Sequence, residues 1–109
     1  MFFGYNLFIT FPFVIMSPKK VFTSEQAKTI GEQIGLKWGS ETFDIEQYRM
    51  GLDVELEHGT RDPQTNVTND DPVLTGKIAL AHLREIPDYY TRLVAMETEG
   101  EAYWDSQKK

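Results

Sequence analysis

The sequence predicts an all-α fold, a compact bundle of about four helices in which the last two are joined at a proline kink. Three observations carry this. After Met16 no run alternates apolar and polar residues with the period of two that a half-buried strand requires. No hairpin-type turn and no internal repeat interrupts the chain. Four stretches place apolar residues three and four apart, and capping residues bound them.

The first helix spans about Ser24 to Ile34. Thr23 is a suitable N-cap, and Gln26 three residues later completes a capping box. Ala27, Ile30 and Ile34 recur at helical spacing, and Gly35 supplies a C′ stop. In the connector, Leu36, Trp38 and Phe43 are expected to fold back onto the core, with Trp38 serving packing rather than a surface contact. The second helix is read over Asp44–Gly59, with Asp44 as cap and Gln47 at N3. Ile45, Tyr48, Leu52 and Leu56 form its stripe. Gly51 in mid-helix costs about 1 kcal/mol relative to alanine, which implies close approach by another backbone or a bulky ring.

A polar loop of thirteen residues, Thr60 to Pro72, follows. It alternates oxygen-bearing side chains as a calcium loop does. Val67 and Val73 stand where such a loop needs glycine and glutamate, so the motif fails. Asx-turns and helix capping account for its composition. Asn66-Val67-Thr68 is a glycosylation sequon, relevant only to a secreted chain. Thr75-Gly76-Lys77 lacks the first glycine and the closing Ser/Thr of a phosphate loop.

Asp71–Pro72 reads as N-cap and N1 of a third helix. Leu74, Ile78 and Ala81 line one of its faces, and Val73, Leu80 and Leu83 another. Such two-sided apolarity predicts a central helix. Pro87 pushes Ile86 out of helical geometry and opens a fourth helix, with Asp88 in its first turn. Tyr89, Leu93 and Met96 form its stripe, extended by Tyr103 if the helix survives Gly100. The tail from Asp105 is expected to fray.

Residues 17–109 are read as a single helical domain. The leader before it, MFFGYNLFITFPFVIM, holds five of the seven phenylalanines and no charge. A signal or membrane segment would need a basic flank, a small-residue cleavage site or a longer uninterrupted run. The reading preferred is an extension upstream of a natural start at Met16. A membrane enters the expected partners only if this segment proves real. Cysteine is absent, which excludes disulfides and thiol chemistry and suits the cytoplasm. The net charge of −6 and the scattered basic residues argue against nucleic acid as a partner.

One polar constellation needs an explanation. His58 and His82 are the only histidines. Each has a glutamate three residues away, in Glu55-x-x-His58 and His82-x-x-Glu85, and residues so spaced share a helix face. A metal site is one reading. Helical bundles hold iron or manganese with such pairs, and zinc accepts the same ligands. The metal candidates are Glu55, His58, His82 and Glu85, with Asp88 as a further oxygen, but the second pair is reversed and no bridging carboxylates are evident. The plainer reading is a polar cluster that fixes helix register, in which tyrosine hydroxyls at Tyr48, Tyr89 and Tyr90 offer partners. Glu57 points away and is expected in solvent beside Arg61. No nucleophile, oxyanion hole or cofactor loop is recognisable, so no bound cofactor is expected outside that metal reading.

The segments FTSEQAKTIGEQIGLKW, GLDVELEHG and TNVTNDDPVLTGKIALAHLREIPDYYTRL resemble an uncharacterised domain-of-unknown-function family of bacteria and tailed phages. The signatures are ELEHG and KIALAHLxExPDYYxRL, and the resemblance covers Val21 to Glu97. It implies no activity or site residues. It implies a domain that occurs alone or as a module of phage-encoded proteins. The functional expectation is a non-enzymatic module acting through a protein partner or self-association. Its exposed candidates are the Thr60–Asp71 loop and the Tyr89–Tyr90 corner.

Overall fold

In a computed structural model, residues 20–108 are described, and the apolar leader lies outside them. Four α-helices follow one another: α1 (Ser24–Gln33), α2 (Ile45–Glu55), α3 (Pro72–Glu85) and α4 (Tyr89–Ser106), with a 3-10 turn, Leu56–His58, after α2. The described residues contain no strand, so the all-α expectation holds. Lys19–Tyr90 form one compact unit, and Thr91 onward belong to a second. Helix α4 therefore contributes its first two residues to the first unit and the remainder to the second.

The helix ends follow local rules. The Thr23 hydroxyl accepts the Gln26 N–H, and the Gln26 side chain accepts the Thr23 N–H, a complete capping box. At the far end Gly35 is left-handed, with φ +97°. The Leu36 and Gly35 amides donate to the carbonyls of Gly31 and Glu32, which is a Schellman closure. Asp44 caps α2 through the Gln47 amide, and Asp71 caps α3 through the Val73 amide with Pro72 at N1. Ile86 is extended, at φ −137° and ψ 108°, as a residue before proline should be. The turn over Pro87 and Asp88 is closed by Tyr89 N–H donating to the Ile86 carbonyl.

Helix α2 ends earlier than its periodicity predicts. The α-helix stops at Glu55 and tightens into the 3-10 turn. Gly59 closes that turn with φ −87° and ψ −135°, outside the left-handed region. Its hydrogen serves a different purpose. A Cβ there would run into the Asp70 carboxyl, which bonds the Thr60 amide and hydroxyl and closes the loop. Inside that loop Asp62 and Asn66 accept the amides of Gln64 and Asn69, the Val67 amide donates to the His58 carbonyl, and Thr68 is buried. The expected Asx-turns are present. The sequon threonine is inside the protein.

The core sits where α1, α2 and α3 meet. Ala27, Ile30, Leu36, Phe43, Tyr48, Leu52, Leu80 and Leu83 fill it. The Trp38 ring lies against Gly31, edge-on to Phe43 and Tyr48, and its indole N–H donates to the Lys28 carbonyl. Trp38 is thus a packing residue, as expected.

Two assignments change. The central helix is α2, buried from Tyr48 to Glu55 except at Met50. Helix α3 is one-sided. It buries Thr75, Gly76, Ala79, Leu80 and Leu83, whereas Leu74 and Ala81 are exposed. The reason is size. Tyr48 lies against Gly76, and Gly51 lies against Ala79, so small residues let the two helices approach closely. Hydrophobicity alone ranked Leu74 above Gly76.

The polar side of α2 is buried through pairing. Arg49 forks onto Glu46 and bonds Asp53 at 2.7 Å. The other Asp53 oxygen accepts the amides of Val21 and Phe22 at 3.0 and 2.9 Å. The incoming chain is thereby tied across α2. Hydrogen bonding from Arg49 holds the Glu46 carboxyl below the usual range.

Gly51 and Gly100 give opposite predictions. A Cβ at Gly51 would meet the Tyr90 ring at 2.5 Å and the Ala79 methyl at 2.9 Å, and one at Gly100 would meet nothing within 4 Å. Gly51→Ala should cost about 1–3 kcal/mol by overpacking, outweighing its gain in helix propensity. Gly100→Ala should increase helix content. Denaturant melts and circular dichroism separate the two, and equal tolerance of both substitutions would contradict this packing.

Candidate functional site

The C-terminal turns of α2 and α3 and the first turn of α4 bring polar groups together inside the Lys19–Tyr90 unit. Glu55 is the last residue of α2, and its side chain is 5% exposed. The Tyr90 hydroxyl, itself fully buried, donates to Glu55 Oε2 at 2.7 Å across 35 residues of sequence. His58 Nε2 lies 3.5 Å from Oε1 and His82 Nε2 3.6 Å from Oε2. Those separations suit ion pairs when the imidazoles are charged and are long for hydrogen bonds. One buried carboxyl thus faces two imidazoles and a phenol.

Aromatic packing orients the partners. The His82 ring stacks on Tyr89, with centroids 4.3 Å apart and planes 10° apart, and stands edge-on to Tyr90. Tyr89 and Tyr90 meet edge to face at 5.0 Å. Tyr90 in turn presses on Gly51, one turn before Glu55. Burial, followed by the hydrogen bond to Glu55, pushes the Tyr90 hydroxyl well above the ordinary phenol range. Burial alone does the same to Tyr48, whose hydroxyl lies against Gly76.

Three of the four sequence candidates are therefore neighbours: Glu55, His58 and His82. Glu85 is exposed and joins none of these pairs. Among the described residues no group of three or more His, Asp or Glu side chains is arranged to hold a metal ion. Glu57 is exposed beside Arg61, as expected. The Tyr89–Tyr90 corner is corrected: Tyr90 is core and Tyr89 is half-buried under His82, so neither forms a freely exposed corner. Periodicity could not foresee the Glu55–Tyr90 bond. The one signal was Gly51, which asked for a bulky ring without saying which.

The described residues thus form an α-helical unit in which a buried carboxylate on one helix meets side chains of two others. The family model described as a protein of unknown function (DUF5661) matches residues 27–99, and the chain belongs to that family. No curated protein and no solved structure matches it.

Two measurements test the cluster. Tyr90→Phe keeps the ring but leaves buried Glu55 without its donor, which should cost about 1.5–3 kcal/mol in chemical denaturation. A cost near zero would show that the bond carries nothing. The second test uses alkali. The folded values of Tyr48 and Tyr90 are raised above the ordinary value of 10.0, so the folded state resists losing these protons. The stability tied to that resistance is fully present below about pH 10 and is lost as pH rises further. In a jump to high pH, absorbance near 295 nm should report these two phenols ionising only as fast as circular dichroism reports unfolding. Ionisation of all tyrosines before unfolding would contradict their burial.

Proposed function

We propose that this chain is a small helical module that works through protein contacts and performs no catalysis of its own. The observation that carries this reading is a set of exposed apolar side chains on α4. Tyr90 is its only buried residue, while Met96, Tyr103 and Trp104 are 58%, 56% and 65% exposed. Large apolar side chains grouped on one helix mark contact surfaces more often than isolated ones do. The polar cluster supports the same reading, because the Glu55 carboxyl is taken by the Tyr90 hydroxyl and faced by His58 and His82. The Thr60–Asp71 loop is tied to itself and offers chiefly Val67.

Among the described residues no helix is long and apolar enough to cross a membrane. The lack of cysteine suits a reducing compartment, and this reading sets the module in the cytoplasm. The resemblance of its signatures to phage-encoded modules makes a phage-associated role part of the proposal.

Photo-crosslinking in cells tests the reading. A photoreactive residue at Trp104 should yield a discrete protein adduct that Met96→Glu abolishes. The same residue at Lys77, exposed on α3, should yield none. No adduct at position 104, or identical adducts at both positions, would sink the proposal.

A further inference from the structure

We propose that the apolar stripe of α4 docks a basic amphipathic segment of a partner protein, a helix whose apolar side is flanked by lysines or arginines. This inference rests on the interaction reading above and names the chemistry of the partner. At about 100° per residue, Leu93, Met96, Gly100, Tyr103 and Trp104 fall within an arc of roughly 100°, the width of a packing stripe. Gly100 leaves open space at its centre. Tyr103 and Trp104 stand edge to face at 5.2 Å at the distal end.

Charge decides what covers this stripe. From Met96 to Asp105 the helix carries Glu97, Glu99, Glu101 and Asp105 and no base. Glu99 borders the stripe on one side and Glu101 on the other. Two copies laid face to face would bring these acids together, and like charges juxtaposed at an interface oppose association. Nucleic acid and anionic bilayers are repelled by the same carboxylates and by the chain's net charge of −6. A cationic helix meets both demands. Its apolar residues cover Met96 and Tyr103, and its lysines or arginines reach the flanking glutamates and the exposed indole face of Trp104.

The test uses the full chain and a labelled synthetic peptide of about 18 residues, long enough to match α4. Leucines occupy its i, i+3, i+4 and i+7 positions and lysines the others. A control peptide carries glutamates in place of the lysines. Fluorescence anisotropy should show the lysine peptide binding and the glutamate peptide not binding. Glu99→Lys with Glu101→Lys should weaken binding at least about tenfold, and so should Trp104→Glu. Glu25→Lys with Glu57→Lys makes the same charge change on exposed residues elsewhere and should leave binding within about twofold. Circular dichroism checks that each variant is folded.

Equal loss in both charge-reversed pairs would reduce the effect to net charge and overturn the site. Equal binding of the glutamate peptide would overturn the charge argument. A dimer in sedimentation that Trp104→Glu dissolves would make a second copy the occupant. Trp104-dependent binding to anionic vesicles would make it a membrane. If crosslinking at position 104 captures a protein while the lysine peptide fails to bind, the basic class falls and the interaction reading stands. If both fail, both fall.

Discussion

Helix α2 is buried on nearly every side, and the rest of the first unit is arranged to make that tolerable. Three of its ionisable side chains, Arg49, Asp53 and Glu55, are less than a tenth exposed. Water cannot serve them, so protein groups must. Arg49 and Asp53 serve each other, and Asp53 also takes two backbone amides of the entering chain. Glu55 takes the Tyr90 hydroxyl and faces two histidines. Pairs like these add little net stability compared with apolar replacements, but removing one partner strands the other in a medium that solvates it poorly. Their effect is selective. They specify which segment crosses α2 and which tyrosine closes over its end.

Close packing makes those pairings reachable. Gly51 admits the Tyr90 ring, and Ala79 lies beside it. A larger residue at position 51 would push that ring away, and the hydroxyl that meets Glu55 with it. The mid-helix glycine is unfavourable for α2 taken alone and is explained only by the contact it permits. Gly76 and Gly59 follow the same logic, one giving way to Tyr48 and the other to the carboxyl of Asp70.

These arrangements separate the roles of inside and outside. The polar groups that resemble a reactive site converge on one buried carboxyl and hold α2, α3 and the start of α4 together. On α4 beyond Tyr90 no residue is buried.

Local chemistry was readable from the chain. The capping box at Thr23, the caps at Asp44 and Asp71, Pro72 at N1, the left-handed Gly35 and the extended Ile86 each depend on residues within four or five positions. So do the existence of four helices and the Asx-turns of the loop. The pairing of Glu55 with His58 was legible for the same reason, being one helical turn. The rest required partners distant in sequence. Which face α3 buries was decided by the fit of Tyr48 and Gly51 against Gly76 and Ala79, and hydropathy periods do not register fit. That α2 rather than α3 is central depended on Arg49 and Asp53 finding each other and the Val21–Phe22 backbone, since polarity alone would leave them in water. The sequence by itself determined the caps at Thr23, Asp44 and Asp71 and the break before Pro87, because those preferences are short-ranged. Only the tertiary structure decided that Glu55 belongs to Tyr90, because a hydrogen bond spanning 35 residues exists only after Gly51 has let the ring in.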